Sequence, residues 1–325
     1  MPLILLGIVT VTFLASRVVG DPIASIVGFK ALNQPGVVEA AQKRWGLDGS
    51  LVEQYVRYLV NLVQGDFGTS FTTRRPVLQD VLDRVPATIE LTLVAMLIGG
   101  VGGVGLGVLA AAKRGKVTDL FIRMFSLVGG SVPVFWTGMI MLSVFYARLG
   151  WLPGPGRLGG RTVPPPDRTG FMTVDSLLAG DLGLFAEACS HLVLPGVVLG
   201  WALVGAIART VRATVLDELH ADYVRTARAK GVRERSVFSV HVLRNAMLPV
   251  LTLLGLSFAT LLTGAALVES VFSWDGVGSY AVAATRSLDF PAVYGTAILG
   301  GLVFLVVNLV TDLLYGLADP RVRLS

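Results

Sequence analysis

Long apolar stretches alternate with polar segments along the whole chain. A helix needs about 20 apolar residues to cross the hydrocarbon core of a bilayer, which is about 30 Å thick. Six stretches approach or exceed that length, at residues 2–19, 87–112, 120–147, 191–208, 246–268 and 291–315. None alternates with a period of two, and backbone groups inside a bilayer must be paired within their own segment. The pattern therefore predicts an all-α polytopic membrane protein with six transmembrane helices.

The composition agrees with a membrane protein and argues against a fold held together by an internal disulfide or a metal ion. Of the 325 residues, 53% are hydrophobic and only 15% are charged, against about 25% charged in a soluble domain. The mean hydropathy is +0.70. The single cysteine, Cys189, has no partner for an internal disulfide, and the three histidines lack the paired spacing of a metal site. Packing within the bilayer must hold the fold together.

The distribution of Lys and Arg predicts the orientation. A pI of about 9.6 could indicate a nucleic-acid partner, but the cations are concentrated in particular segments. Segments 113–119, 209–245 and 316–325 hold 13 cations in 54 residues, whereas 21–86, 148–190 and 273–290 hold 12 in 127. The denser set is expected to be cytoplasmic, with both termini inside. Burying the eight cations of 209–245 at the bilayer centre would cost over ~20 kcal/mol, so this segment is predicted to be a solvated inner loop.

The polar segments outside the membrane differ in character. The stretch "SLVEQYVRYLVNLVQGDFG" places Leu51, Tyr55, Leu59, Leu62 and Val63 at helical spacing, which predicts an amphipathic helix against the outer ends of the spans. Repeated Pro and Gly in "GWLPGPGRLGGRTVPPPDRTG" predict an irregular external loop.

The first apolar stretch could instead be a secretory signal peptide. It lacks the charged n-region of such a peptide, and Leu14-Ala15-Ser16 is only a fair cleavage site, so we expect it to be retained. The sequence then divides into a first transmembrane helix (1–20), an external segment with an amphipathic helix (21–86), a five-helix transmembrane core (87–315) and a cytoplasmic tail (316–325).

Glycines in the second stretch imitate a nucleotide-binding motif. "GGVGGVGLGV" contains G-x-G-x-x-G at Gly100, Gly102 and Gly105, but that fingerprint needs a preceding strand and a soluble βαβ unit. Glycines at every fourth position instead form a smooth helix face that a neighbouring helix can approach closely. The residues predicted on this packing face are Gly99, Gly103 and Gly107.

The inner loop predicts a compact helical knob. Leu216, Leu219, Tyr223 and Ala227 follow each other at helical spacing, which predicts one apolar stripe on an amphipathic helix. Gly231 can adopt a positive φ and end that helix, and "RERSVFSVHVLRNAMLP" predicts a second helix. A loop that only orients the protein needs cations but no apolar stripe and no glycine break. The pattern is typical of a knob that docks into a groove on a partner protein.

These motifs resemble a family of transport proteins. "YVRTARAKGV" with "HVLRNAMLPV" looks like the EAA loop of ABC importer permeases, in particular the B-type subunit of the dipeptide/oligopeptide/nickel family. "RRPVLQDVLDRVPATIELTL", "SVPVFWTGM", "LGWLPGPG" and "GAALVESVFSW" extend the resemblance over nearly the whole chain. The resemblance implies a type I ABC importer permease fold.

The resemblance also implies partners. A second, homologous permease subunit would complete a heterodimeric pathway, two ATPase domains or subunits would bind the cytoplasmic face, and an external solute-binding protein, often a lipoprotein, would deliver peptide. G-x-x-x-x-G-K-[ST] is absent from the sequence, so ATP and Mg are expected on the partner ATPases. This chain is expected to have no catalytic site and no bound cofactor. The implied setting is a bacterial plasma membrane, with lipid around the spans and no nucleic-acid partner.

By the family pattern, Arg225, Thr226 and Ala227 stand at the Glu-Ala-Ala positions of a coupling loop at 212–245, and Gly231 is its turn glycine. ATP-driven closure of the ATPase domains would push this loop and rock the spans. The expected coupling residues are Asp222, Tyr223, Arg225, Thr226, Ala227, Arg228, Ala229, Lys230 and Gly231.

Two residues in the spans are candidates for the pathway or its gate. Glu269 lies where the fifth span meets the external segment, where it could face the pathway and meet a peptide amine, or be satisfied by an interhelical hydrogen bond. Pro133 is expected to bend the third span, either for gating or for packing.

Other functions are also compatible with the sequence. An ion-coupled secondary transporter or a channel would be expected to carry mid-span acids or interrupted half-helices in matching halves, which are scarce here. A membrane scaffold without transport is a third possibility. Within the importer interpretation peptides are the expected substrate, with nickel and glutathione as alternatives.

Overall fold

The computed structural model describes residues 2–19, 35–44 and 48–318. Across these residues the protein is helical, with a single isolated bridge between Thr69 and Pro76 as its only strand-like pairing. The predicted all-α class is confirmed for this part of the chain. Two compact units are formed, Met1–Pro86 with Gly276–Val306 and Ala87–Asp275 with Val307–Ser325. Parts of the predicted external segment (21–86) and most of the predicted cytoplasmic tail (316–325) lie outside the described residues, at 20–34, 45–47 and 319–325.

The helices are numbered in chain order. The first seven are α1 (Pro2–Val19), α2 (Pro35–Arg44), α3 (Leu51–Val63), α4 (Val77–Ala112), α5 (Val117–Ser131), α6 (Val134–Met141, continued by the π-helix Leu142–Arg148) and α7 (Met172–Leu178). They are followed by α8 (Leu182–Glu218), α9 (Asp222–Ala229), α10 (Glu234–Ser236, continued by the π-helix Val237–Val242), α11 (Leu243–Ala246), α12 (Leu248–Val271), α13 (Val277–Arg286) and α14 (Phe290–Ala318).

The amphipathic helix predicted at 51–63 is confirmed as α3, in the first unit. The Tyr55 hydroxyl forms a 2.6 Å hydrogen bond with the Thr10 hydroxyl of α1, and the Phe13 ring packs 5.2 Å from the Tyr55 ring. Leu51 and Val63, both predicted on the apolar face, are exposed. The face that packs against α1 is therefore narrower than the sequence pattern indicates.

The second unit is built around α8, which is buried along most of its length. Its apolar residues join one continuous core with residues from α4, α9, α12 and the π-helix after α10. The helix extends beyond the predicted stretch of 191–208 at both ends. Its last turns therefore reach the polar loop that precedes α9.

Two helices are individually long and apolar enough to cross a membrane, Val77–Ala112 and Leu182–Glu218. Two more candidate spans are bent pairs, Val117–Ser131 with Val134–Arg148 and Glu234–Ala246 with Pro249–Leu262. The described residues thus contain two single-helix candidate spans, or up to four if each bent pair counts as one. The count of six transmembrane helices stays a prediction.

The third predicted span is not one straight helix. The two helices on either side of Pro133 are inclined at 109° to each other. Val132 adopts an extended conformation with φ −88° and ψ 132°, as expected for a residue whose helical conformation would clash with the following proline ring. The predicted bend at Pro133 is therefore present as a complete break.

The loop between the π-helix and α7, predicted to be external, is irregular as predicted, and two carboxylates fix it in place. The Glu90 carboxylate on α4 accepts hydrogen bonds from Arg157 at 2.8 Å and from the Thr173 hydroxyl at 2.6 Å. On α8, the Glu187 carboxylate accepts from the Gly159 N–H and the Thr162 hydroxyl at 2.8 and 2.7 Å. These bonds lower the pKa of Glu187 below its usual range. The loop therefore lacks regular structure but has defined anchors.

Candidate coupling site

The polar loop after α8 forms the predicted sequence of helix, glycine turn and helix. Val224 and Ala227 are buried on one side of α9, in the same core as Val237 and Val242 of the following π-helix. Burying one of these valine side chains contributes about 1.5–3 kcal/mol. This apolar contact seats α9 on the end of the second unit.

Gly231 ends α9 in the way the sequence predicts. Its φ is +75°, a conformation that glycine adopts without steric cost. The Val232 N–H donates to the Ala227 carbonyl at 3.2 Å, and the Gly231 N–H donates to the Arg228 carbonyl at 3.0 Å. These two bonds form a Schellman motif, which satisfies carbonyls at the helix end. The turn is therefore a defined cap and not a loose connection.

The outer side of α9 is polar and mainly cationic. Among the nine predicted coupling residues, Ala227 alone is buried. The exposed ones are Asp222, Tyr223, Arg225, Thr226, Arg228, Ala229, Lys230 and Gly231. A surface with three cations, one acid and the small Ala229 is free to contact another protein.

The two arginines of this surface differ in their partners. Arg228 forms a two-pronged ion pair with Glu234 across the glycine turn, with Nη2 to Oε1 at 2.6 Å and Nε to Oε2 at 3.1 Å. The guanidinium holds the pKa of the Glu234 carboxyl below its usual range. Among the described residues, the polar partners of Arg225 are the highly exposed Asp222 carboxylate at 3.1 Å and the His220 carbonyl at 3.4 Å. Arg228 therefore stabilises the knob, whereas Arg225 is available for an external partner.

The apolar stripe predicted through Leu216, Leu219, Tyr223 and Ala227 is wrong in one respect. It assumed one continuous helix, but α8 ends at Glu218 and α9 begins at Asp222. The turn between them changes the helical phase, so Tyr223 points outward, where its hydroxyl hydrogen-bonds Glu218. Val224 takes its place in the core.

An ion pair that the sequence pattern does not predict supports the base of the knob. Asp119 at the start of α5 is 1% exposed and accepts from Arg212 of α8 at 2.7 and 2.9 Å, and from the Gly115 N–H at 3.1 Å. The hydrogen bond from Arg212 is the main cause that lowers the pKa of Asp119 to about 2, with the Gly115 N–H and the Arg123 charge adding to it against the effect of burial. Residues 93 positions apart carry no local signal of their pairing.

The predicted glycine face packs directly against α8. A Cβ added at Gly99 would lie 2.7 Å from Leu203, and one at Gly103 or Gly107 would lie 2.6 Å from the Cβ of Ile207 or Val211. Real Cβ atoms essentially never come that close. Only glycine allows this approach between α4 and α8, which packs α4 against the helix that leads into the candidate coupling loop.

The two pathway candidates lie in different surroundings. Glu269 on α12 is fully buried and accepts a 2.6 Å hydrogen bond from the Thr88 hydroxyl of α4. Beside it, the Trp274 indole N–H donates to the Ala87 carbonyl at 3.0 Å. The interhelical alternative for Glu269 is therefore the one present in this conformation. Pro133, at the break between α5 and α6, is exposed.

Apolar helices of membrane-spanning length and close glycine packing between two of them are typical of a multi-pass membrane protein. Over residues 103–324 the chain matches the family "Binding-protein-dependent transport system inner membrane component". Over residues 1–92 it matches the N-terminal family "Binding-prot-dependent transport system membrane comp, N-term". The chain belongs to this family, the membrane components of ABC importers.

Curated relatives are similar over nearly their whole length. The di/tripeptide transport system permease protein DppB of Pseudomonas aeruginosa is 44% identical over 318 residues, covering 98% of this chain and 94% of the relative. The probable D,D-dipeptide transport system permease protein DdpB of Escherichia coli is 40% identical with the same coverage. The glutathione transport system permease protein GsiC of Escherichia coli is 36% identical, covering 98% and 97%.

A solved structure described as an amino acid ABC transporter with histidines shares the fold. It superposes with a TM-score of 0.50 at 16% identity, over 74% of this chain and 93% of its own. The predicted ABC permease fold is confirmed, and at this identity the likeness carries no information about substrate.

Proposed function

We propose that this chain is the B-type permease subunit of an ATP-driven importer that moves di- or oligopeptides across the bacterial plasma membrane. Three relatives named for peptide or glutathione transport, 36–44% identical over 98% of the chain, support a peptide-like substrate. Glutathione is itself a short peptide and stays the second candidate, because one of these relatives is named for it. Family membership argues against an ion-coupled transporter, a channel or a scaffold.

The proposed partners follow from the family and from the shape of the knob. ATPase and solute-binding subunits accompany permeases of such importers in general. For this chain we propose a heterodimer with a second permease, two ATPase domains or subunits on the side of α9, and an external lipoprotein that delivers peptide. ATP and Mg would be used by the ATPases alone. Both termini would be cytoplasmic, the spans would contact lipid, and nucleic acid would play no part.

The coupling role of α9 rests on one observation, its exposed cationic face on a rigid apolar seat. A helix held only by its own charges could not transmit force, whereas one anchored by Val224 and a Schellman turn can pass a push from the ATPases to α8 and α12. The outward residues from Asp222 to Gly231 are the proposed contact. Glu269 is proposed to hold α4 and α12 together, and Pro133 to act as the joint of the third span.

The test separates docking from folding. Arg225→Glu reverses an exposed charge with only surface partners, so we expect it to reduce peptide uptake per ATP hydrolysed in proteoliposomes containing the whole transporter. Arg228→Glu alone should also destabilise the knob, because it leaves Glu234 facing a like charge. The exchange Arg228→Glu with Glu234→Arg restores the pair, so it should recover stability but not coupling. Normal uptake in both Arg225→Glu and the exchange would contradict the coupling role.

A further inference from the structure

The short turn between α4 and α5 carries three exposed cations. Lys113, Arg114 and Lys116 are exposed, and no ion pair or side-chain hydrogen bond joins them to another described residue. Asp119, the acid nearest in sequence, is occupied by Arg212 and the Gly115 N–H. The turn therefore presents positive charge that the described part of the protein does not neutralise.

The turn is held in one conformation. Gly115 has a φ of +76°, and its N–H donates to the buried Asp119 carboxylate, which Arg212 of α8 grips from the other side. The Lys116 N–H also donates to the Lys113 carbonyl at 3.0 Å. Internal contacts thus already fix the backbone that carries the three cations. A ligand that binds them has to order only the side chains.

An apolar surface begins directly beside the cations. Leu120, Phe121 and Met124 of α5 are 52%, 69% and 56% exposed, on a helix that begins one of the candidate spans. Cations followed along the helix by exposed apolar side chains match the two parts of a phospholipid. The headgroup carries the negative charge, and the acyl chains cover apolar surface.

We propose that Lys113, Arg114 and Lys116, together with the exposed start of α5, form a binding site for anionic phospholipid at the membrane surface. The Asp119–Arg212 pair joins this turn to α8, six residues before that helix ends at the coupling loop. A lipid on the turn would therefore hold the base of the coupling knob at a fixed depth in the membrane. The inference rests on the proposed membrane orientation but not on the peptide substrate.

Native mass spectrometry of the detergent-purified transporter measures the site directly. Protein is exposed to equal amounts of phosphatidylglycerol and phosphatidylcholine, and retained lipids are counted. Each cation near an anionic surface contributes about fivefold in affinity, so Lys113→Gln with Arg114→Gln and Lys116→Gln should lower phosphatidylglycerol retention by up to about a hundredfold. Retention by the wild-type protein should fall with added salt. Retention of phosphatidylcholine should be the same in the glutamine variant and the wild-type protein.

Two matched variants control for charge and for folding. Arg148→Gln with Arg161→Gln and Arg168→Gln removes three exposed cations, one at the end of the π-helix and two in the external loop that follows it, and should retain phosphatidylglycerol normally. Lys113→Arg with Lys116→Arg keeps the charge and should also retain it. If the glutamine variant does not fold, the salt dependence and headgroup preference of the wild-type protein still decide the question.

Equal retention of both lipids by the wild-type protein would overturn the site, as would unchanged retention in the glutamine variant. A partner protein on the turn is the competing occupant. If Lys113 and Lys116 are protected from acetylation only when the ATPase subunits are present, whatever the lipid, the turn is a protein interface and the proposal is wrong. Peptide uptake is assayed separately, so loss of the lipid site and failure of the peptide function give different results.

Discussion

Gly231 sets the direction in which the chain leaves α9, the proposed coupling helix. Its φ of +75° costs an L-residue with a Cβ about 1–2 kcal/mol, although a Cβ there would meet no other atom within 4 Å. Gly231→Ala should therefore reduce peptide uptake per ATP hydrolysed through backbone strain alone. Gly231→Asn should have a smaller effect, because asparagine tolerates this conformation better.

Gly130→Ala is the matched control for this pair. Gly130 lies in α5, has an ordinary φ and has no atom within 4 Å of an added Cβ, so coupling should be normal. Equal peptide uptake per ATP hydrolysed in Gly231→Ala and the wild-type protein would show that the geometry of the Gly231 cap is not needed for coupling.

Asp119 makes the base of the coupling knob sensitive to acid only far below neutral pH. The folded-state pKa is about 2, against 3.8 for the free side chain. A depressed pKa means that the pair stabilises the fold fully above pH 3.8, and that this contribution is lost as the pH falls toward 2. Titration of Asp119 should therefore cause no change in the melting temperature between pH 5 and 8.

Breaking the Asp119–Arg212 pair should destabilise the fold. Asp119→Asn should lower the free energy of unfolding by about 3 kcal/mol, near the low end for a buried pair because the Arg212 side chain is 23% exposed. Arg212→Lys keeps the charge without the two-pronged geometry and should cost less. Nanodisc melting temperatures check both, and an unchanged melting temperature in Asp119→Asn would contradict a stabilising role.

The glycine face of α4 predicts opposite effects for two neighbouring substitutions. Gly103→Ala places a Cβ 2.6 Å from the Ile207 Cβ, so the helices must separate, and the melting temperature of the transporter should fall. Gly105→Ala meets nothing within 4 Å. It should leave stability unchanged or raise it by up to about 1 kcal/mol, because alanine favours helix more than glycine does. Similar melting temperatures for the two variants would contradict close packing at this face.

The elements were predictable from the sequence to different degrees. The helix at 51–63, the irregular loop at 149–170 and the helix-glycine-helix knob follow local rules of spacing and turn chemistry, and each is present. The continuous stripe through Tyr223 was wrong, because a three-residue turn between α8 and α9 changes the phase and leaves no strong Gly or Pro signal. The π-helical segments after α6 and α10 have no such signal either.

Contacts between distant residues could not be read from the sequence. The pairs Asp119–Arg212, Glu90–Arg157 and Thr88–Glu269 join residues 67 to 181 positions apart. Their side chains are ordinary polar residues beside apolar stretches, and which of them meet depends on how α4, α8 and α12 pack. The glycine periodicity predicted the α4 side of the α4–α8 contact but not the residues of α8 that lie opposite it.

At the scale of the whole molecule, the proposed coupling requires α9 to contact an ATPase subunit. Ala229 is exposed on the outer side of the knob, whereas Val163 is exposed in the loop that is predicted to be external and is remote in sequence. A photo-crosslinking amino acid at either position would report the neighbouring protein in the assembled transporter without disturbing the apolar seat of α9.

The decisive measurement is therefore photo-crosslinking from position 229 in membranes that contain the complete transporter, with position 163 as the control. We predict a covalent adduct between this chain and an ATPase subunit from position 229, changing in yield when ATP is added, and none from position 163. Failure of position 229 to capture the ATPase, together with capture from position 163, would place the knob on the wrong side of the membrane and contradict the account.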